Sequence, residues 1–108
     1  MTVDQLKNKL GLKPICLADP DREIEGGYVG DLLSWVMGKA QSSDVWITIM
    51  SNMNIIAVAS LTDVACIVLA EGVSIDENVV RTAEMKEINV LQSPKSAFDL
   101  AAEISRLI

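Results

Sequence analysis

Four acidic side chains in one short segment are the first residues that could do chemistry. Asp19, Asp21, Glu23 and Glu25 alternate with other residues, and carboxylate oxygens are the ligands that Ca²⁺ and Mg²⁺ prefer. The segment departs from an EF-hand loop, because Ile24 stands where that loop has glycine and no glutamate closes it. We therefore expect a solvated loop or strand edge here, and no metal site.

The nucleophilic side chains lack the groups that could activate them. Ser34, Ser51 and Ser93 have no histidine to act as a base, because the chain contains none. Lys95 is close in sequence to Ser93, but the Gly-Lys-Ser/Thr motif of a P-loop is absent. The sequence therefore predicts no catalytic residue, no cofactor and no enzymatic activity.

The two cysteines lie far apart in the sequence, each within an apolar run. Neither Cys16 nor Cys66 belongs to a C-x-x-C pair, and no histidine is present to complete a set of metal ligands. We expect two reduced, buried thiols in a cytoplasmic protein. A disulfide, a reactive thiol and a ligand to a metal cluster are the alternatives.

Composition narrows the class of protein. The 108 residues include 15 acidic and 9 basic side chains, for a net charge of −6. This balance is unfavourable for a protein that follows the phosphates of a nucleic acid. The length suits one domain over residues 1–108. The N-terminus has neither the basic nor the apolar region of a secretory signal.

One uncharged stretch, Val45–Thr62, is long enough to cross a bilayer. Ser51, Asn52 and Asn54 lie at its centre, where the loss of hydration costs most. Neither flank has the Lys or Arg that marks a cytoplasmic border. The sequence therefore predicts a buried strand, a polar turn and a short helix, with no membrane contact.

Capping residues predict where several helices begin and end. Thr2 and Gln5 fit the capping box of a first helix, and Gly11 is placed to end it. Asp31 is predicted to cap the second helix, and Ser93 is predicted to cap the last one. These signals divide the chain into short helical segments.

Apolar runs rich in β-branched residues lie between those helices. The runs 45–49, 64–69 and 88–91 are predicted as strands, and Asn52 or Asn54 is predicted to cap the helix after the first of them. Alternation of strands and helices implies parallel crossovers. The prediction is an α/β fold with a mainly parallel sheet of four to five strands.

Small polar residues follow the predicted strands, at the place where an open parallel sheet binds ligands. Each such turn precedes a helix N-terminus, which favours anions. Glycines between residues 26 and 30 also precede a helix and are expected to join this rim. The rim is either a crevice for a nucleotide or another small anion, or a set of the caps and turns that such a fold needs. The candidate ligand-binding residues are Gly26, Gly27, Gly30, Ser51, Asn52, Asn54, Glu71, Gly72 and Ser93.

The second predicted helix is apolar on nearly all sides. Residues 32–37 contain only Ser34 as a polar side chain, so this helix is predicted to be buried or to lie at an interface. Half of the residues in this small chain are apolar. Both observations favour a homodimer.

Four segments, in this order along the chain, resemble the DRTGG domain family. The likeness extends from about Ile15 to the end, and it is greatest to a stand-alone, single-domain branch often found beside hydrogenase-type redox genes in anaerobic bacteria. The segments are Gly26–Ser34, Asp44–Ile49, Asn54–Ala59 and Ile67–Gly72.

The motif that names the family is largely absent here. Ser51–Asn54 stands where many members have Gly-Asp-Arg, and Ala70–Gly72 stands where they have Thr-Gly-Gly, so Gly72 alone is retained. The resemblance implies a three-layer α/β/α sandwich similar to the N-terminal domain of HPr kinase/phosphorylase. DRTGG domains also occur between CBS domains in regulatory pyrophosphatases, where they look like dimerising, ligand-sensing modules.

Together these features lead to one expected function and one alternative. We expect a non-catalytic regulatory or ligand-sensing domain that acts as a homodimer and takes a nucleotide or small anion at the carboxyl ends of the strands. The alternative is a protein-interaction or scaffold module on a redox complex of the hydrogenase type.

Overall fold

A computed structural model describes all residues 1–108 as five helices and one five-stranded sheet. The helices are α1 (Val3–Leu10), α2 (Leu33–Lys39), α3 (Asn54–Thr62), α4 (Glu77–Met85) and α5 (Ala97–Leu107). The strands are β1 (Lys13–Cys16), β2 (Gly26–Val29), β3 (Asp44–Thr48), β4 (Cys66–Leu69) and β5 (Val90–Gln92).

The sheet has the strand order β1-β5-β4-β3-β2. Strands β2 to β5 are parallel to one another, whereas β1 is antiparallel to β5. The predicted α/β fold with a mainly parallel sheet is therefore confirmed. Because four strands are parallel, their carboxyl ends lie at one end of the sheet and their amino ends at the other.

Helices cover both faces of the sheet, as the resemblance implied. On β3, Val45 and Ile47 pack in the core that includes α1 and α5, whereas Trp46 packs in the core that includes α2, α3 and α4. The alternation follows from the two-residue period of a strand. Both sides of the central strands are buried, which is why their sequences are continuous apolar runs.

The first helix begins and ends where local sequence predicts. The Thr2 hydroxyl accepts a hydrogen bond from the Gln5 N–H at 3.1 Å, and the Gln5 side chain accepts one from the Thr2 N–H at 2.9 Å. Gly11 follows the helix with φ of 62°, the left-handed conformation that glycine adopts without strain. The predicted capping box and glycine stop are confirmed.

The prediction for Asp31 is wrong. The N-cap position of α2 is Leu32, which provides no side-chain hydrogen bond. The Asp31 carboxylate instead accepts hydrogen bonds from the Thr48 hydroxyl at 2.8 Å and from the Ile49 N–H at 2.9 Å. A contact with the neighbouring strand therefore replaces the local cap.

The predicted cap at Ser93 is also wrong. Helix α5 begins at Ala97, and Ser96 is its N-cap, with a hydroxyl that accepts from the Asp99 N–H at 3.1 Å. Ser93 is buried, and its hydroxyl accepts from the Lys95 N–H at 3.1 Å within the preceding turn. Ser96 therefore caps the helix, which begins three residues later than predicted, and Ser93 stabilises the turn before it.

The predicted cap of α3 by Asn52 or Asn54 is also wrong, because neither residue occupies the N-cap position. Asn54 is the first helical residue, and Met53 occupies the N-cap position without a side-chain hydrogen bond. The Asn52 side chain accepts from the Asn54 N–H at 2.9 Å. Asn52 therefore closes the turn one residue earlier than an N-cap would.

The five helices do not include one with the length and apolar character needed to span a bilayer.

Candidate functional site

The carboxyl ends of β2 to β5 form the predicted rim. Gly30 follows β2, the turn with Ser51 and Asn52 follows β3, Glu71 and Gly72 follow β4, and Ser93 follows β5. The last two loops are joined directly, because the Gly72 N–H donates to the Ser93 carbonyl at 2.9 Å. The parallel sheet thus brings seven of the nine candidate residues to one end, which are Gly30, Ser51, Asn52, Asn54, Glu71, Gly72 and Ser93.

Gly26 and Gly27 do not lie at the rim, so their predicted place in a turn before a helix is wrong. Both belong to β2, at its amino end, where they pair with Asp44 and Val45 of β3. A Cβ atom on Gly26 would lie 2.7 Å from an oxygen of the Asp44 carboxylate. The glycine therefore permits a close approach of two strands, a use of glycine that resembles a turn signal in sequence.

In the part of the rim that follows β4 and β5, polar groups of the two loops form hydrogen bonds with each other. The Glu71 N–H donates to the Lys95 carbonyl at 2.8 Å, and Ser93 is held by the bonds described above. Glu71 and Gly72 both have positive φ, 58° and 71°. Consecutive left-handed residues turn the chain sharply, and this turn leaves few free donors.

The half of the rim after β3 keeps free donors. The backbone N–H groups of Ser51, Asn52 and Met53 donate to no acceptor within the protein. They lie immediately before α3, a helix of nine residues without a side-chain cap. Successive free N–H groups at a helix N-terminus form a local positive potential, which favours an anion.

Asp31 is a rim residue that sequence reasoning missed as part of the site. Its carboxylate ties the segment after β2 to the end of β3 through Thr48 and Ile49. Thr48 is buried, and its hydroxyl also accepts from the Met50 N–H at 3.1 Å. An acidic residue two positions after a strand end was the available signal.

The rim is shallow. Five cavities are present, and none is lined by the seven candidate residues at this end of the sheet, although Gly27 lines one of about 200 Å³ beside α5. The largest cavity, about 430 Å³, lies at the amino ends of β4 and β5. A ligand at the rim would therefore rest on exposed backbone groups.

An exposed apolar surface adjoins the rim. Of the predicted apolar helix only Val36 is fully buried, whereas Leu32 is 61% exposed and Trp35 is 59% exposed. Ile49 and Met53 are also exposed and flank the turn with the free donors. Leu32 and Trp35 are three positions apart and face the same side of α2. We call this surface the α2 patch, and its members are Leu32, Trp35, Ile49 and Met53.

The cysteines are poor nucleophiles in this fold. Both Cys16 and Cys66 are buried free thiols. Burial raises the pKa of Cys66 to about 12, and burial together with the nearby Glu84 carboxylate raises the pKa of Cys16. A thiol with a raised pKa is protonated at neutral pH and reacts slowly. No three side chains of the acidic, cysteine or histidine types are grouped so that they could hold a metal ion.

Comparison with known proteins identifies a family for most of the chain. The sequence profile described as the DRTGG domain matches residues 31–107. The match includes the β3 turn, the Glu71–Gly72 turn and Ser93. Among curated proteins, none matches the sequence.

A solved structure shares the fold. It contains the CBS and DRTGG domains of the regulatory region of Clostridium perfringens pyrophosphatase, in complex with the activator diadenosine tetraphosphate. The TM-score is 0.73 at 14% sequence identity, with 94% of this chain and 44% of that chain covered. The chain thus spans less than half the length of that protein, and the likeness concerns the fold.

Proposed function

The chain belongs to the DRTGG domain family, and we propose that it is a non-catalytic regulatory domain that acts as a homodimer. In this proposal it senses a nucleotide or another small anion at the carboxyl ends of the strands. The two free, buried thiols fit a reducing compartment, and we assign the protein to the cytoplasm on that basis.

The α2 patch is the observation that carries the proposal. Trp35 leaves on the order of 100 Å² uncovered, because an aromatic side chain of this size buries roughly 150–250 Å² when enclosed. The four side chains together supply roughly half of the about 800 Å² that each partner contributes to a standard interface. This is the size of the largest apolar patch on a typical monomer, and such patches often serve in binding.

The chemistry of the patch favours a second copy of this chain as the partner. The members of the patch are uncharged, and the charge that lies on it is the Lys39 ammonium group, 5.1 Å from the centroid of the Trp35 ring, whereas the chain as a whole has a net charge of −6. A two-fold axis through the patch brings identical apolar surfaces together and leaves the acidic surfaces outside. Self-association there avoids most of the repulsion between the two copies.

The turn with free donors supports an anion site beside this interface. Ser51, Asn52 and Met53 offer N–H groups at the start of α3, and Met53 also belongs to the α2 patch. An anion that orders the turn would change the position of an interface residue. The pyrophosphatase region that shares the fold was solved in complex with its activator diadenosine tetraphosphate. Diadenosine tetraphosphate is therefore a suitable first probe.

Light scattering tests the dimer. We expect a dimer at micromolar concentration for the wild-type protein, and a monomer for Trp35→Glu, because charge in an apolar interface is costly. Phe98→Glu is the matched control, since Phe98 is an exposed aromatic residue on α5, on the opposite layer. A monomeric wild-type protein, or a Trp35→Glu variant that stays dimeric, contradicts the proposal.

Thermal unfolding tests the anion site, with diadenosine tetraphosphate, ATP and inorganic phosphate as probes. A ligand at a hundredfold excess over its Kd adds about 2.7 kcal/mol of stability, which raises the Tm by roughly 10 °C or more in a domain of this size. Asn52→Asp keeps the bond to the Asn54 N–H and adds a repulsive charge, so we expect it to abolish the rise.

Gln41→Glu, in the exposed loop before β3 at the opposite end of the sheet, adds the same charge away from the rim and should leave the rise intact. The absence of any rise with all three probes contradicts the sensing proposal. If in addition the protein is a monomer that co-purifies with redox proteins, the scaffold alternative replaces it.

A further inference from the structure

The two edge strands of the sheet differ in how they are protected from pairing with another chain. Strand β1 contains Lys13 and Pro14, with a shift of register before Cys16, and natural sheets use such features to protect their edges. Strand β2, at the other edge, contains no lysine, proline or register shift. Both strands have four residues, so their length does not distinguish them. Strand β2 is therefore the edge at which this sheet can accept a further strand.

The backbone of β2 has unpaired groups on its outer side. The strand pairs with β3 on its inner side, and no strand lies beyond it. The Gly30 N–H donates to the Ile47 carbonyl at 3.1 Å, which fixes the phase of this parallel pair. Because alternate residues of a strand bond to the same neighbour, the N–H and carbonyl groups of Gly27 and Val29 face outward. Both residues are exposed, so another chain can reach these groups.

An apolar cavity of about 200 Å³ lies directly beside these outward groups, between β2 and α5. Gly27 and Val29 line it together with Ala101 and Ile104 of α5, and the small size of Gly27 and Ala101 leaves this space open. Small-molecule sites have volumes of roughly 300–1,000 Å³, whereas a cavity of roughly 150 Å³ accommodates a benzene ring. The cavity is therefore smaller than a typical ligand site and suits one bulky apolar side chain.

The charged residues that flank β2 are both acidic. Glu25 directly precedes the strand, is exposed and forms no ion pair. Asp31 follows the strand by two positions, and its carboxylate accepts hydrogen bonds from two uncharged donors, so its charge is not compensated. An incoming strand with Lys or Arg near its ends would lie next to opposite charges, which stabilises cross-strand pairs.

The same charges disfavour a second copy of this chain at the β2 edge. A two-fold axis that pairs all of the outward groups places Gly27 of one copy opposite Val29 of the other. In that register Glu25 lies opposite Asp31 of the second copy at both ends of the pair. Like charges directly opposite each other destabilise paired strands. The edge therefore favours a different chain, with basic residues.

We propose that β2 binds an extended, basic peptide segment of another protein, which adds to the sheet as a sixth strand. The backbone of this segment pairs with the outward groups of Gly27 and Val29, and one bulky apolar side chain fills the cavity against α5. Lys or Arg residues beside that anchor lie near Glu25 and Asp31. In complexes of this kind backbone pairing provides affinity, and the side-chain pocket provides specificity. The α2 patch and the turn with free donors take no part.

Selection from a display library of random peptides, with the full chain as the target, tests this site. The peptides have about ten residues, the upper length of an ordinary strand. We expect the enriched sequences to alternate apolar and polar residues, with one large apolar anchor and at least one Lys or Arg. Fluorescence anisotropy with the most enriched peptide then measures its Kd. The absence of enrichment, or enrichment of acidic or proline-rich peptides, would overturn the proposal.

Two variants separate the contribution of the backbone from that of the cavity. Val29→Pro removes an outward N–H, and an edge strand tolerates proline there because no bond within the sheet is lost. Gly27→Val fills the cavity and keeps the outward groups, since a Cβ atom there meets only the Val45 carbonyl oxygen, at 3.6 Å. We expect each variant to raise the Kd roughly tenfold or more, because each removes a main contact. Val29→Thr keeps the N–H and the β-branched shape, so its Kd should stay close to that of the wild type.

Amide hydrogen exchange of the wild-type protein distinguishes strand addition from simple apolar anchoring. The N–H groups of Gly27 and Val29 should exchange more slowly with the peptide bound, whereas exchange at Asn52 on the rim should not change. Glu25→Gln should raise the Kd about threefold, and Glu77→Gln on α4 should leave it unchanged. Binding without protection of the two outward N–H groups, or equal weakening by the two charge variants, would contradict the proposal.

The Trp35→Glu variant separates this site from the proposed dimer. It should bind the peptide with the wild-type Kd, because α2 and α5 lie on opposite faces of the sheet. If Trp35→Glu instead remains a dimer that the further change Val29→Pro dissociates, a second copy occupies the edge and the proposal is wrong. Failure at the β2 edge is thus distinguishable from failure of the proposed regulatory function.

Discussion

Backbone hydrogen bonds join adjacent segments at both ends of the parallel sheet, but the side-chain links differ in the length of chain that they span. At the carboxyl end, Thr48 bonds to Asp31 over 17 positions. At the amino end, Asn89 bonds to Asp19 over 70 positions. The long link borders the largest cavity of the protein, whereas the rim is shallow. Single substitutions should therefore matter more at the amino end.

Among the substitutions that test this comparison, Asn89→Ala should cause the largest loss of stability. The change removes the partners of the Asp19 N–H and the Ala65 carbonyl, whereas the Asp19 carbonyl keeps a hydrogen bond from the Arg22 N–H at 3.3 Å, and each lost bond costs about 1–3 kcal/mol. We expect the free energy of unfolding to fall by about 3 kcal/mol, because water can enter from the open cavity and rescue part of the loss. Urea denaturation measures it.

Asn78→Ala is the control, since Asn78 is exposed on α4 and should change stability by less than about 0.5 kcal/mol. A loss below about 1 kcal/mol for Asn89→Ala would show that the loop after β1 is not held by this side chain.

Thr48→Val tests the strongest side-chain link at the rim. The valine preserves shape but removes the hydroxyl that donates to Asp31 and accepts from the Met50 N–H. We expect a loss of about 1–2 kcal/mol, smaller than at Asn89 because Asp31 and Met50 can turn to water. Urea denaturation of the two variants in parallel measures the ranking, and a larger loss at Thr48 reverses the comparison.

Gly72→Ala tests the backbone contribution to the rim. A Cβ atom there meets nothing closer than the Pro94 Cα at 4.0 Å, so the cost comes from the φ of 71° alone. We expect a loss of about 1 kcal/mol. Gly38→Ala in α2 is a control of opposite sign, since alanine in an open helical position should stabilise by roughly 0.5–1 kcal/mol. Thermal unfolding measures the change in Tm for both variants. If both substitutions raised the Tm, or both lowered it, the result would contradict the backbone explanation.

Local signals made much of the fold predictable. The capping box at Thr2, the stop at Gly11 and the apolar run at 45–49 each depend on residues within one turn or one strand. Parallel strands bring their carboxyl ends together, so the position of most of the rim followed from strand order. Gly26 and Asp31 were misplaced because their partners, Asp44 and Thr48, lie on another strand.

The amino-end cavity could not be predicted from the sequence for the same physical reason. Arg22 and Asp63 are 41 positions apart, and Asn89 is 70 positions from Asp19. Hydrogen bonds over such separations depend on the final packing of the sheet and have no periodic trace in the sequence. Exposure of α2 was predicted only as one of two outcomes, because an apolar helix can be buried in the core or lie at an interface. Ile49 was predicted to belong to a buried strand, but it follows the end of β3 and is exposed.

The smallest expected effect is a pH dependence at the wall of the cavity. Bonds from Ser42 and Arg22 lower the pKa of Asp63 below its ordinary value of 3.8. The carboxylate therefore contributes stability that is fully present above about pH 4 and is lost as the pH falls through its folded pKa. Because Asp63 is largely exposed, the contribution should stay below about 1 kcal/mol.

Asp63→Asn removes this titration and isolates it. Asparagine suits the left-handed backbone of residue 63, where φ is 59°, so the substitution adds an offset that does not depend on pH. As the pH falls from 5 to 2, we expect the free energy of unfolding to decrease more for the wild type than for the variant. Urea denaturation at each pH measures this difference. In a Ser42→Ala background the shift should shrink, because the bond that lowers the pKa most is lost. A difference that stays constant across this range would mean that Asp63 forms no bonded wall in solution, and the contrast between the two ends of the sheet would then rest on Asn89 alone.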